Sequence, residues 1–103
     1  MKIKKKGTNE FPRISIFRSN KEIYVQIIDD INKNTILAYS SLKEKQNKKK
    51  MNKTQMSNKI GKVIAKKMLR KNIKQAFFDR KKLIYHGRIK YLIEGIRGEG
   101  IKI

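Results

Sequence analysis

The chain has 103 residues and a formal charge of +20, from 28 Lys and Arg against eight Asp and Glu. That length allows one domain with a modest core, while the absence of Cys and the single His exclude a disulfide framework, redox thiols and a zinc cluster. So high a charge works against any compact state and calls for a partner of dense negative charge, which nucleic acid supplies best.

In chain order, residues 1–12 read as a short basic arm carrying Lys2, Lys4, Lys5 and Lys6, and residues 13–103 as a single nucleic-acid-binding domain. No apolar h-region follows the basic start and no run of roughly 18 uncharged apolar residues occurs, so a soluble intracellular protein is expected. From Arg13 to Ser41 the apolar period is two, the mark of strands. Arg13–Arg18, Glu22–Asp29 and Thr35–Ser40 are separated by short connectors bearing Asn20 and Asn32, as in hairpin turns, and predict an antiparallel three-stranded meander. With Asn20 and Lys21 as the central turn residues, Ile16 pairs with Val25 and Ile14 with Ile27 on the core face. Phe17 then pairs with Tyr24 and Ser15 with Gln26 on the other. That second face, with Arg13, is either a surface on which RNA bases stack or a plain cross-strand aromatic pair.

Residues 43–53 hold many Lys and almost nothing to bury, which predicts a flexible loop. After it, Met56, Ile60, Val63, Ile64 and Met68 recur at helical spacing to about Lys71, and Asn72 suits the left-handed position that closes a helix. Lys59, Lys62, Lys66, Lys67 and Lys71 cover the remaining surface of this helix. Residues 75–78 read as a buried strand, Asp79–Gly87 as a loop, and Ile89, Leu92, Ile93 and Ile96 as the stripe of a second helix weakened by Gly95 and Gly98. Gly100 ends it, and Ile101–Ile103 alternates like a last short strand. The expected fold is α+β: a three-stranded antiparallel meander followed by βαβ-type units, giving one mixed sheet with two helices packed on one face.

Much of the charge is Lys, and Lys, Ile and Asn are the residues towards which an A+T-rich genome drifts, so the lysines alone are weak evidence. A denser signal lies at Phe78-Asp79-Arg80 and Tyr85-His86-Gly87-Arg88, between a strand and a helix N-terminus. There Arg80 and Arg88 can grip a phosphate. As an enzyme site the cluster is poor, with no nucleophile or second carboxylate beside His86. Asp29 and Asp30 are adjacent and point to opposite faces, so they do not hold a divalent metal together. No enzyme activity, cofactor, metal, membrane or small-molecule substrate is expected.

Arg13 with its strand, Phe17-Arg18-Ser19-Asn20-Lys21, Ile23-Tyr24, Gln26, Asp29-Asp30, Ser40-Ser41, Asn72-Ile73, Phe78-Asp79-Arg80, Tyr85-His86-Gly87-Arg88, and Arg97 with Gly100 together resemble one family. It is the bacterial-type 5S rRNA-binding protein of the large ribosomal subunit, number eighteen in that subunit's naming. Five of the six Arg (Arg13, Arg18, Arg80, Arg88, Arg97) fall where the family motif has Arg. The resemblance implies a non-catalytic protein that binds 5S rRNA and, with a neighbouring 5S rRNA-binding protein, attaches it to the central protuberance near 23S rRNA. It implies a place on the large subunit, bacterial or organellar. The RNA contacts that it implies are Arg13, Arg18, Ser19, Asn20, Lys21, Tyr24 and Gln26 on the hairpin, and Arg80, Tyr85, His86 and Arg88 at the loop. Lys4, Lys5 and Lys6 of the arm join them.

The chain also departs from that family. Its arm is shorter and poorer in Arg, which implies fewer arm contacts. Glu22 stands where a basic or aromatic group is usual and puts a carboxylate near the turn. Asn72 replaces a typical Gly, and Gly95 and Gly98 replace helix formers, which predicts a free protein that leans on RNA for order. The alternative class is a general nucleic-acid chaperone, indifferent to RNA structure.

Overall fold

A computed structural model describes residues 7–44, 52–78 and 87–103. The first three strands, β1 (Arg13–Arg18), β2 (Ile23–Asp29) and β3 (Asn34–Ser40), form the expected antiparallel meander. A short helix α1 (Ser41–Glu44) follows directly, then the long helix α2 (Lys53–Arg70), the two-residue strand β4 (Phe77–Phe78) and helix α3 (Arg88–Gly98). Sheet order is β3-β2-β1-β4, with β4 parallel to β1. The sheet is therefore mixed, as the sequence predicts.

Alternation decides which strand residues reach the core. Ile14 and Ile16 of β1 and Ile23, Val25 and Ile27 of β2 are buried beneath Ile60, Ile64, Ala65 and Met68 of α2 and Ile89, Leu92, Ile93 and Ile96 of α3. Each of these side chains except Ala65 contributes about 1.5–3 kcal/mol by leaving water. Val63, expected in the α2 stripe, is half-buried, and the buried face of that helix includes Ser57 and Gly61 instead. The reason is close helix packing. A Cβ on Gly61 would stand 2.1 Å from the Leu92 carbonyl oxygen, and one on Gly95 would stand 2.4 Å from that of Asn58. Each glycine accepts the backbone of the other helix, so Gly95 is a packing notch rather than the weak point that propensity suggests. Nothing lies near a Cβ on Gly98, so no packing contact offsets the helix cost expected there.

Helix α2 ends as predicted. Asn72 has φ 61°, its N–H donates to the Leu69 carbonyl at 3.0 Å, and the Ile73 N–H reaches back to Met68 at 2.9 Å. This pair of bonds satisfies terminal carbonyls and seats Ile73 beside Met68 in the core. The helix start falls earlier than predicted. Asn52 accepts from the Gln55 N–H at 2.8 Å while Gln55 Oε1 accepts from the Asn52 N–H at 3.2 Å, a reciprocal cap that fixes Lys53 as the first helical residue. Lys43 and Lys53, the ends of the expected flexible loop, thus belong to helices, and residues 45–51 between them lie outside the described residues.

Strand boundaries differ in smaller ways. Glu22 belongs to the turn. Register shifts in β3, where Ile27 faces Leu37 but Ile28 faces Thr35, so Ile36 is an extra residue and both Ile36 and Leu37 rest half-buried on the core. The expected strands at 75–78 and 101–103 shrink to β4 and a single parallel bridge, Gln75 to Lys102. Residues 7–12, placed with the arm by sequence, lie against the sheet. Gly7 and Pro12 are buried, and the Phe11 and Phe77 ring centroids are 5.3 Å apart.

Candidate nucleic-acid interface

The β1–β2 register is the one set by Asn20 and Lys21 at the turn: Ile14 to Ile27, Ser15 to Gln26, Ile16 to Val25 and Phe17 to Tyr24. With helices covering the other face, Ser15, Phe17, Tyr24 and Gln26 line a shallow hollow on the open side of the sheet. The Phe17 and Tyr24 rings touch, their centroids 5.7 Å apart and their planes at 43°, yet Phe17 remains 67% exposed. An aromatic face is thus held towards solvent by its partner ring.

At the far end of this face Arg13 is engaged internally. Its Nε and Nη2 donate to Asp30 Oδ2 and Oδ1 at 3.0 and 2.9 Å. Asp30 Oδ2 also accepts from the Gly7 N–H at 2.7 Å, and Gly7 O accepts from the Asp30 N–H at 2.7 Å. Arg13, which the sequence places among the RNA contacts, therefore fastens the incoming chain to the sheet. Neighbouring Asp29 does something separate. Its carboxylate accepts from the Asn32 side chain at 2.7 Å and from the Ile31 and Asn32 N–H groups, closing the β2–β3 turn. These bonds, the Asn32 side chain first, hold its pKa below the usual value of 3.8 against the opposing effect of burial.

The hairpin tip carries Arg18, Ser19, Asn20 and Lys21, all exposed. Ser19 closes the turn twice: its N–H donates to the Glu22 carbonyl at 2.9 Å, and its Oγ accepts from the Glu22 N–H at 3.1 Å. Glu22 does not place its carboxylate on the surface. It is buried, and Oε1 accepts from Ser41 Oγ at 3.4 Å.

Two stretches distant in sequence meet at this tip. Arg88, the first residue of α3, donates from Nη2 to the Ser19 carbonyl at 2.9 Å, across 69 positions. Of the loop cluster, Phe78, Gly87 and Arg88 are described, whereas Asp79, Arg80, Tyr85 and His86 lie outside the described residues, as do Lys4, Lys5 and Lys6. A groove runs beside the junction, between Lys21, Ile23, Lys53, Met56, Ser57 and Arg88. Sequence reading missed this groove, because it treated Lys53 as loop and Met56 as core. The cap signature Asn52-Lys53-Thr54-Gln55 was the available sign that α2 begins beside the hairpin. The basic side of α2 lies beyond, with Lys62, Lys66, Arg70 and Lys71 exposed and Lys67 Nζ 5.2 Å from the centre of the Tyr39 ring. Among the described residues no group of three or more His, Cys, Asp or Glu is placed to hold a metal ion.

The model of the family described as ribosomal L18 of archaea, bacteria, mitochondria and chloroplasts matches residues 1–103. The large ribosomal subunit protein uL18c of Gracilaria tenuistipitata var. liui is 51% identical over 105 residues, covering 99% of each chain. That of Guillardia theta is 50% identical over 100 residues, covering 94% of this chain and 92% of its own. The bacterial uL18 of Finegoldia magna is 45% identical over 97 residues, covering 93% and 80%.

Proposed function

We propose, from the premise that the chain belongs to the ribosomal L18 family, that it is a structural protein of the large ribosomal subunit which binds 5S rRNA. In this reading it helps to attach that RNA at the central protuberance, beside a second 5S rRNA-binding protein and close to 23S rRNA. Its work is done by binding and shape, without catalysis.

The observation that carries this reading is the junction of the hairpin tip with the start of α3. Arg88 ties the exposed turn to the helix, so cations from two distant stretches share one rigid surface next to the exposed Phe17 and Tyr24 face. Cations on phosphates set position, and aromatic and polar groups read an RNA surface by stacking and shape. In this reading Arg18, Ser19, Asn20, Lys21, Tyr24, Gln26 and Arg88 contact RNA. Arg80, Tyr85, His86 and Lys4–Lys6 extend the contact from their positions in the sequence, and Arg13 supports it through Asp30.

Filter-binding titrations of 5S rRNA, tRNA and duplex DNA across a salt series test the proposal. Selective binding of 5S rRNA is expected, with log K falling by about 0.7–0.9 per phosphate neutralised for each tenfold rise in salt. Equal affinity for all three would instead fit a general nucleic-acid chaperone, the class that charge alone favours.

A further inference from the structure

The groove between the hairpin tip and the starts of α2 and α3 combines two chemistries. Lys21, Lys53 and Arg88 contribute cations from three separate elements, Ile23 and Met56 supply an apolar floor, and no acid lines it among the described residues. Its volume is about 250 Å³, below the roughly 300–1,000 Å³ of sites for drug-sized ligands. A duplex does not enter so small a space. A phosphate alone would leave the apolar floor unused, and an apolar side chain alone would leave three cations facing a ligand without charge. A ligand with one flat apolar ring and one anionic group uses both.

We propose that this groove receives a single unpaired nucleotide of the bound RNA, with its base on Met56 and Ile23 and its phosphate among Lys21, Lys53 and Arg88. The inference rests on the RNA-binding reading above and adds to it a specific subsite. Sequence-selective recognition of RNA falls mostly on unstacked, splayed bases of this kind. Arg88 is partly prepared for the task. Its bond to the Ser19 carbonyl holds the guanidinium in place, which lowers the entropy cost of gripping a phosphate.

The test uses the full chain with 5S rRNA and reads three quantities: affinity, salt slope, and protection of unpaired bases from dimethyl sulfate. Met56→Gln keeps size and charge, so it should weaken binding by about three- to tenfold, leave the salt slope unchanged, and expose one base that the wild-type complex protects. Lys53→Gln should lower the salt slope by about 0.7–0.9, one phosphate's worth. Circular dichroism checks both variants. Lys53 is exposed on the first turn of α2, so its result stands even if the Met56 variant proves unstable. If 5S rRNA binds selectively but both variants match wild type in all three readouts, the groove is empty in the complex and the inference fails alone. If the wild-type chain shows no preference for 5S rRNA, the functional reading fails and takes the inference with it.

Discussion

Phe17 decides between the two readings of the open sheet face. If its ring only packs on Tyr24, Phe17→Ala costs roughly 0.2–1 kcal/mol of stability, the worth of a cross-strand pair, and nothing in binding. If bases stack there, 5S rRNA affinity falls by about a further 1–3 kcal/mol. Thermal melts and filter binding on the same variant separate these outcomes, and the 67% exposure of the ring points to the second. Asp29 makes a different, pH-dependent prediction. Its folded pKa lies below 3.8, so its contribution is complete above the unfolded value and is lost as pH falls through the lower folded one. Urea midpoints of wild type and Asp29→Asn should therefore differ at pH 6 and converge as the pH drops below that range. A gap that persists at low pH would mean that the turn bonds do not depend on the carboxylate charge. Some residue roles were legible and others were not, for identifiable reasons. The pairing of Phe17 with Tyr24 followed from two turn residues, since one register point fixes all the others. The partnership of Arg13 with Asp30 did not, because it joins positions 17 apart through side chains that periodicity does not orient. Glu22 misled the reading because it lies in the turn, outside β2, where strand alternation no longer says which way a side chain points.

Among the elements, the α2–α3 crossing separates propensity from packing most clearly. Gly95 and Gly98 are equally poor helix formers, yet alanine should act at them with opposite sign. At Gly95 a methyl meets the backbone of α2 and should cost about 1–3 kcal/mol by forcing the helices apart. At Gly98 it meets nothing and should add about 0.4–1 kcal/mol through the unfolded chain. Denaturant midpoints of the two variants check this, and a loss at both sites would show that α3 is constrained at its end as well. Asn72 offers a companion case, since its φ of 61° makes alanine there about 1–2 kcal/mol worse. Element types and order were legible because stripes of Ile, Leu and Met repeat at 2 or 3.6 residues. The β3 bulge and α1 were not. A bulge leaves no mark in hydrophobic period beyond two adjacent apolar residues, here Ile36 and Leu37, and a four-residue helix is shorter than the window that periodicity needs.

For the molecule as a whole, charge and fold pull in opposite directions. A chain with a net charge of +20 folds into a body with extents of 44 × 30 × 22 Å, comparable with the Debye length of about 30 Å at 0.01 M salt. Its cations therefore repel one another across the whole body when salt is low, and the free protein gives up stability to keep them. In the proposed complex, bound RNA would offset that penalty through its affinity, which stabilises the fold by about 2.7 kcal/mol in all at a free concentration one hundred times Kd, equivalent to roughly 4–8 °C in Tm for each kcal/mol in a domain of this size. Salt should thus act with opposite sign on the two species. Raising NaCl from about 50 to 500 mM should raise the Tm of the free chain by screening self-repulsion, and lower the Tm of its complex with 5S rRNA by weakening phosphate contacts. Differential scanning calorimetry on both samples reads this directly. A free chain indifferent to salt would mean that its lysines are spaced widely enough to ignore one another. The excess charge would then be compositional drift carried on the surface rather than a cost sustained for binding RNA.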